Sequence, residues 1–180
     1  MSKHSVVVES SKPARAAILE IARSVRKWAE HHVSSEETVN SGYDFSGDPD
    51  LCCMCAYAST VLLDQLHKKG ITCAKLVTNQ YHCFIEIENN ILDITATQFS
   101  SSFNKVVYQK RNSFLNKDLF KKRPSNQEYW EKSLEFDCVE SAFKALNPSS
   151  TGGFPQTQYF KSKKELHKIL KQADQFILNS

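Results

Sequence analysis

Apolar residues recur every three or four positions in the first part of the chain, which is the spacing of an amphipathic helix. They are Ala14, Ala17, Ile18, Ile21, Ala22, Val25, Trp28 and Ala29. Ser11 followed by Pro13 is a typical helix start, so the pattern predicts a helix over residues 12–32 that packs on the core. The opposite face carries charged side chains that we expect to be solvated: Arg15, Glu20, Arg23, Arg26, Lys27 and Glu30.

A second helical segment is apolar over most of its surface, as is typical of a helix that packs on both sides. Asp48 and Pro49 form a helix-start signal, and Lys68, Lys69 and Gly70 form a helix-stop signal. The segment between these signals is rich in small and aliphatic residues: Ala56, Ala58, Ser59, Val61, Leu62, Leu63 and Leu66. We therefore expect this helix to be the central one of the fold.

Beyond Gly70 the pattern changes to short runs of β-branched and aromatic residues, which predict strands. The predicted strands are residues 71–78, 81–88, 91–95 and, as a fourth, 104–109. Asn79-Gln80 and Asn89-Asn90 separate the first three strands as hairpin turns, so these strands are expected to form an antiparallel meander. The stretch that follows, residues 110–123, is charged and irregular.

Two further helices are predicted towards the end of the chain, over residues 126–147 and 162–178. The residues that fall on one side of the first are Trp130, Leu134, Cys138, Ala142 and Ala145. Ser162 is the expected cap of the second. A chain of 180 residues, 41% hydrophobic and 24% charged, is typical of a single globular domain, here residues 1–180.

The net charge is only +3, and the basic residues are dispersed without interleaved aromatic residues, so nucleic acid is not an expected partner. No apolar run has the length of a membrane span, and residues 1–9 lack the long hydrophobic region of a cleaved signal peptide. We therefore expect a cytoplasmic protein without a membrane partner. This expectation is compatible with delivery into another cell as an effector without a cleaved signal peptide.

Three cysteines, Cys52, Cys53 and Cys55, crowd together at the predicted start of the central helix. Such near neighbours are awkwardly placed to form disulfides with one another, so reduced thiols are expected. The unpaired N–H groups and the dipole of a helix start lower the pKa of a thiol, which favours nucleophilic chemistry. His82, at the head of the second strand, is a candidate base, and Asp93, in the third strand, can orient its imidazole.

Strand pairing decides whether His82 and Asp93 can meet. Pairing around Asn89-Asn90 places Glu86 roughly opposite Asp93, with His82 lying diagonally from it. His82 and Glu86 share one face of their strand, and a triad requires this face to coincide with that of Asp93 at the helix.

These segments resemble the transglutaminase-like branch of the papain-fold superfamily. That branch shows Cys early on a helix, then His-x-Trp/Phe-x-Glu, then Asp-x-Thr, and here the corresponding segments are Cys55, His82-Cys83-Phe84-Ile85-Glu86 and Asp93-Ile94-Thr95. The run from Asp93 to Phe99 is similar to the ending found in papain-fold bacterial toxins and deamidases. The resemblance covers residues 51–99. It implies an α+β fold with a papain-like or transglutaminase-like core over residues 48–109, in which a central helix packs on an antiparallel sheet with flanking helices.

The resemblance also implies a catalytic triad of Cys55, His82 and Asp93. The family's usual helix length, counted back from Gly70, selects Cys55 as the nucleophile. Cys52, nearer the helix start, is the second candidate. The family's glycine two residues before the nucleophile is replaced here by Cys53, and no obvious glutamine upstream serves an oxyanion hole. Backbone N–H groups of the nucleophile's own turn are therefore expected to supply most of the oxyanion binding.

The function implied is thiol-dependent hydrolysis or acyl transfer on an amide of a protein or peptide. Such a protein would be a cysteine protease, a glutamine deamidase or a transglutaminase-like enzyme, and it would need no cofactor or metal. Tyr43, in the loop before the central helix, and Gln98 are candidate substrate-binding residues. Two alternatives stay open: a catalytically inactive papain-like fold that binds or inhibits another protein, and a zinc-binding domain that uses Cys52 and Cys55.

Overall fold

The computed structural model describes residues 15–33, 51, 54–79, 81–116, 124–146 and 160–180. These residues form a mixed α+β fold of five α-helices and a five-stranded antiparallel sheet. The helices are α1 (Arg15–Val33), α2 (Cys55–Lys68), α3 (Arg111–Leu115), α4 (Val139–Leu146) and α5 (Lys163–Leu178). The strands are β1 (Ala74–Thr78), β2 (Cys83–Ile87), β3 (Asn90–Asp93), β4 (Val107–Lys110) and β5 (Leu134–Phe136). None of the described helices combines the length and the apolar character needed to cross a membrane.

The central helix α2 packs against α1, α5 and the strands β1 and β2. Each of its first nine residues is buried, as its small and apolar composition predicts. The helix ends in a Schellman motif, in which the N–H groups of Gly70 and Ile71 donate to the carbonyls of His67 and Leu66, both at 2.9 Å. Gly70 adopts a left-handed φ of +81°, which is why a glycine ends this helix.

The first and last α-helices of the described residues, α1 and α5, lie close to their predicted ranges. α1 begins at Arg15, and the earlier part of the predicted range 12–32 lies outside the described residues. α5 is capped by Ser162, whose hydroxyl accepts a hydrogen bond from the Glu165 N–H at 3.1 Å. Both helices are strongly amphipathic and pack against each other and against α2.

The sheet has the strand order β4-β3-β2-β1-β5. The predicted meander and fourth strand are confirmed, and each neighbouring pair is antiparallel. Side chains alternate between two apolar layers. The layer on the α2 side includes Leu76, Cys83, Ile85 and Leu92. The layer on the opposite side includes Val77, Phe84, Ile91 and Trp130.

The turn between β2 and β3 differs from the predicted one. Glu88 and Asn89, both with positive φ, occupy the turn, and Asn90 pairs with Ile87. A two-residue turn of this kind needs positive φ at both positions, whereas Asn90 lies in the strand and its amide donates to the Ile87 carbonyl at 3.0 Å. Glu86 therefore pairs with Ile91 and not with Asp93.

This shift of two residues decides how far apart His82 and Asp93 lie. A two-residue shift leaves every side chain on its original face, because strand side chains alternate with a period of two. Continuing the observed register places Phe84 opposite Asp93, so His82 is the next residue on that same face. In the predicted register four residues along the strand, and not two, would separate His82 from the position opposite Asp93.

The predicted helix over residues 126–147 is wrong for most of its length. The chain forms a 3-10 helix over Pro124–Trp130, then β5, and only the last part is helical, as α4. The strand β5 pairs with β1, with Leu134 opposite Thr78 and Phe136 opposite Leu76. The free edge of β1 favours this pairing, and the apolar spacing of the segment did not distinguish it from a helix.

One charged residue of α1 contradicts the predicted solvated face. Arg26 is only 3% exposed. Its guanidinium donates to the Ile94 carbonyl at 2.6 Å, to the Thr97 hydroxyl at 3.1 Å and to the Glu30 carboxylate at 2.9 Å. These bonds tie α1 to the chain that follows β3, close behind Asp93.

We expect Arg26→Ala to lower the free energy of unfolding by about 2 kcal/mol, because it leaves the buried Ile94 carbonyl without its charged donor. Urea unfolding followed by circular dichroism measures the change. Arg23→Ala is the matched control, since Arg23 is an exposed arginine of the same helix and its loss should change little. Equal effects of the two substitutions would contradict the structural role of Arg26.

Candidate active site

Cys55 is the first residue of α2. The residue before it, Met54, occupies the cap position without a side-chain cap, and its N–H donates to the Leu51 carbonyl at 3.1 Å. Leu51 has a positive φ of 59°, so the chain turns sharply just before the helix. The other two candidate cysteines, Cys52 and Cys53, lie outside the described residues.

His82 lies immediately before β2, and both its backbone and its ring are held. Its N–H donates to the Asn79 side-chain oxygen at 3.0 Å, and its carbonyl accepts from the Thr78 hydroxyl at 3.0 Å. Its ring is fully buried, and Nε2 donates to Oδ2 of Asp93 at 2.7 Å. The structure thus brings together the histidine and the aspartate that the sequence predicts as partners.

Asp93 accepts four hydrogen bonds. Its Oδ2 accepts from His82 Nε2 and from the indole N–H of Trp130 at 2.8 Å. Its Oδ1 accepts from the N–H of Thr95 at 2.8 Å and from the hydroxyl of the same residue at 3.1 Å. Burial opposes ionisation, but the His82 charge and these donors hold the pKa of Asp93 below its ordinary value. The carboxylate is therefore ionised at neutral pH.

The ring of His82 titrates well above the usual range. Burial lowers its pKa, but the charge and hydrogen bond of Asp93, with a smaller contribution from Cys55, raise it to about 9. Because Nε2 is engaged by Asp93, Nδ1 is the nitrogen that remains for chemistry. Nδ1 is buried and has no hydrogen bond of normal geometry to any described residue.

The thiol of Cys55 behaves differently from what its helix-start position predicts. The Cys83 thiol, which shares a hydrogen bond with it, and burial raise the pKa of Cys55 well above its ordinary value, while His82 lowers it. The residue is 4% exposed. At neutral pH it is therefore a protonated thiol. Its interaction with His82 lowers the pKa of Cys55 and raises the pKa of His82.

Three aromatic rings surround the imidazole of His82. Phe84 stacks on it at 5.9 Å between ring centroids, and Phe99 and Trp130 meet it edge-on at 4.8 and 5.6 Å. These rings keep water from the bond between His82 and Asp93, and a hydrogen-bonded ion pair in such apolar surroundings is electrostatically strong. The pair is therefore held in one orientation.

Trp130 is the site residue that the sequence did not reveal. It was expected on the apolar side of a helix, whereas it lies at the end of a 3-10 helix beneath His82. The only sequence signal was general, since a buried tryptophan usually needs an acceptor for its N–H. Thr95, by contrast, belongs to the Asp-x-Thr segment and caps the Asp93 carboxylate.

The remaining candidate residues are placed as follows. The side-chain amide of Gln98 donates to the Thr95 carbonyl at 3.0 Å and so supports the turn behind Asp93. Tyr43 lies outside the described residues. Within the ranges that the structure describes, no three His, Cys, Asp or Glu side chains cluster as metal ligands, and Cys52 of the zinc alternative is not among those residues.

Comparison with known proteins adds no relative to this picture. No protein-family model, curated protein or solved structure matches the chain.

Proposed function

We propose that this protein is a thiol-dependent hydrolase or acyltransferase of the transglutaminase-like, papain-fold kind, acting on an amide of a protein or peptide. One observation carries the proposal: an ionised aspartate orients a buried histidine that interacts with Cys55 at a helix start. Among the described residues, the second nitrogen of this histidine has no hydrogen-bond partner of normal geometry. The packing of α2 on the antiparallel meander supports a papain-like core.

In the proposed first step, the proton of the Cys55 thiol moves to Nδ1 of His82 and the sulfur attacks the carbonyl carbon of the amide. The N–H groups of the first turn of α2 have no intrahelical acceptor, and they bind the oxyanion that forms. The imidazolium then gives its proton to the departing nitrogen. The product is a thioester on Cys55.

In the second step, water or an amine attacks the thioester while His82 removes its proton, and the thiol is restored. Attack by water makes the protein a protease or a glutamine deamidase, and attack by an amine makes it a transglutaminase. Asp93 stays ionised throughout and stabilises the imidazolium. Four hydrogen bonds already satisfy its two oxygens, so it has no need to take the proton itself.

The protonation states of Cys55 and His82 set the pH above which this chemistry can begin. At neutral pH both Cys55 and His82 carry their protons, so the pair holds one proton too many for the first step. Loss of one proton from the coupled pair produces the reactive form. Reactivity should therefore rise as the pH approaches and passes about 9, the pKa of His82.

The test is alkylation of the six cysteines by iodoacetamide, followed peptide by peptide with mass spectrometry from about pH 6 to about pH 10. We expect Cys55 to react faster than the exposed Cys73 once the pH nears 9, although Cys55 is far more buried. His82→Ala should make Cys55 slower than Cys73. His67→Ala is the matched control, because His67 lies at the other end of α2 and bonds to the Ala74 carbonyl.

A second candidate function is a catalytically inactive papain-like fold that binds another protein. The burial of the Cys55 thiol and its raised pKa favour this candidate. The same experiment separates the two. Slow labelling of Cys55 at every pH, unchanged by His82→Ala, would exclude the enzyme and leave the binding module.

A further inference from the structure

Asn79 follows β1 at the turn into β2 and is 7% exposed. Its side-chain oxygen accepts two hydrogen bonds, from the N–H of Tyr81 at 2.8 Å and from the N–H of His82 at 3.0 Å. The backbone N–H of Asn79 donates to the His82 carbonyl at 3.1 Å. Asn79 therefore fixes the backbone on both sides of the His82 side chain.

The other end of the same amide holds a different part of the chain. The Asn79 nitrogen Nδ2 lies within donating distance of three carbonyls, those of Glu128 at 2.8 Å, Tyr129 at 3.3 Å and Glu131 at 2.9 Å. These residues flank Trp130 on both sides. The amide thus holds the segment that carries the indole.

His82 and Trp130 are the two donors to Oδ2 of Asp93, and they come from segments 48 residues apart in the sequence numbering. We propose that Asn79 is a positioning residue that sets the distance between these two donors. An amide is suited to this because it accepts at one end and donates at the other, which neither a carboxylate nor an ammonium does. The role of Asn79 in catalysis rests on the function proposed above.

A second asparagine of the sheet provides a matched comparison. Asn90 also lies beside a hairpin turn, and its amide donates to the carbonyls of Ile87 and Glu88. Those carbonyls belong to its own turn, at the other end of β2 from His82. Asn90→Asp therefore removes a similar amide without touching the donors of Asp93.

Asn79→Asp is the decisive substitution. It keeps an acceptor for the N–H groups of Tyr81 and His82, but it turns a carboxylate oxygen towards the three carbonyls that Nδ2 now contacts. Oxygen repels oxygen there, so the segment that carries Trp130 should move away while the His82 turn stays in place. Asn79→Ser is the second variant, because it loses the same donor without adding a charge.

Two readouts are needed, and the first does not depend on activity. The chain has two tryptophans, so its ¹H–¹⁵N spectrum contains two indole resonances, and Trp130→Phe assigns the one bonded to Asp93. The second readout is the pH profile of Cys55 alkylation. We expect Asn79→Asp and Asn79→Ser to shift the Trp130 indole resonance and to slow Cys55 alkylation about tenfold, whereas Asn90→Asp changes neither.

A double substitution tests whether Asn79 acts through Trp130. Asn79→Asp should slow alkylation little further in a Trp130→Phe background, because two residues that act as one unit are not additive. The inference is overturned if the indole resonance stays in place in both Asn79 variants, or if Asn90→Asp reproduces their effects. If His82→Ala leaves alkylation unchanged, the proposed function fails, and the indole resonance still decides whether Asn79 positions Trp130.

Discussion

We expect Asp93→Asn to slow the alkylation of Cys55 by about a hundredfold, because an amide cannot replace this carboxylate. Two donors approach each oxygen of Asp93, and at least one donor on each side is a fixed N–H group. An asparagine must therefore turn its NH₂ group either towards His82 and Trp130 or towards the N–H of Thr95. In the first orientation His82 must accept at Nε2, and its proton then sits on Nδ1, where it cannot receive the thiol proton.

The measurement is the alkylation rate of Cys55 at about pH 9, near the His82 pKa, with the free energy of unfolding determined in parallel. Asp64→Asn is the control, because Asp64 is a carboxylate of α2 that pairs with Lys68 away from the site. We expect this control to alkylate like the wild type. An Asp93→Asn protein that folds and still reacts at the wild-type rate would show that Asp93 has only a structural role.

We expect the free energy of unfolding to fall as the pH rises from about 6.5 to about 9, because the pKa of His82 is raised in the folded protein. Its pKa is 6.5 when unperturbed and about 9 in the folded protein, so the folded state holds the proton more tightly. The resulting stabilisation is complete below about pH 6.5 and is lost as the pH passes 9. The shift corresponds to on the order of 3 kcal/mol.

At low pH, Asp93 also affects the free energy of unfolding. Its pKa is lowered in the folded protein, so its contribution is present above the unfolded value of 3.8 and is lost as the pH falls through the folded pKa. Between the acid range in which Asp93 titrates and the alkaline range in which thiols titrate, His82 should therefore dominate the pH dependence of the free energy of unfolding. Above about pH 8 the Cys55 thiol also begins to ionise in the unfolded state, and because its pKa is raised in the folded protein it adds its own dependence.

Urea unfolding at intervals between pH 5 and pH 9 measures the effect of His82. We expect His82→Gln to remove most of the slope above pH 6.5, while His67→Gln retains it. Equal slopes in the wild type and in His82→Gln would mean that the proton affinity of His82 does not change on folding.

The outer helices and the central helix were largely predictable because their signals are local. A cap residue such as Ser162, a stop such as Gly70 and an apolar stripe each depend on residues within one or two turns. The meander was predictable for the same reason, since short strands joined by two-residue turns involve only near neighbours. Segment 126–147 was not, because β5 forms only where the edge of β1 is available to it.

The candidate site divides in the same way. His82 and Asp93 were expected to meet because one hairpin joins them, although the expected turn lay one residue after the observed one and the expected register differed by two residues. The roles of Trp130 and Asn79 at the site were not predictable, since each acts through a contact between distant segments that no local pattern records. The resemblance to the papain fold and the choice of Cys55 as the nucleophile remain predictions.

The sequence by itself determined the strands of the meander, the end of the central helix, the start of the last helix and the side chains that have the chemistry for a Cys-His-Asp site. Only the tertiary structure decided the protonation of that site. The Cys83 hydrogen bond and burial raise the pKa of Cys55, against the expectation from a helix start. Burial lowers the pKa of His82, but the charge and hydrogen bond of Asp93 outweigh it and raise that pKa. The pKa of a buried group depends on which groups surround it, and that arrangement is created only when the chain folds.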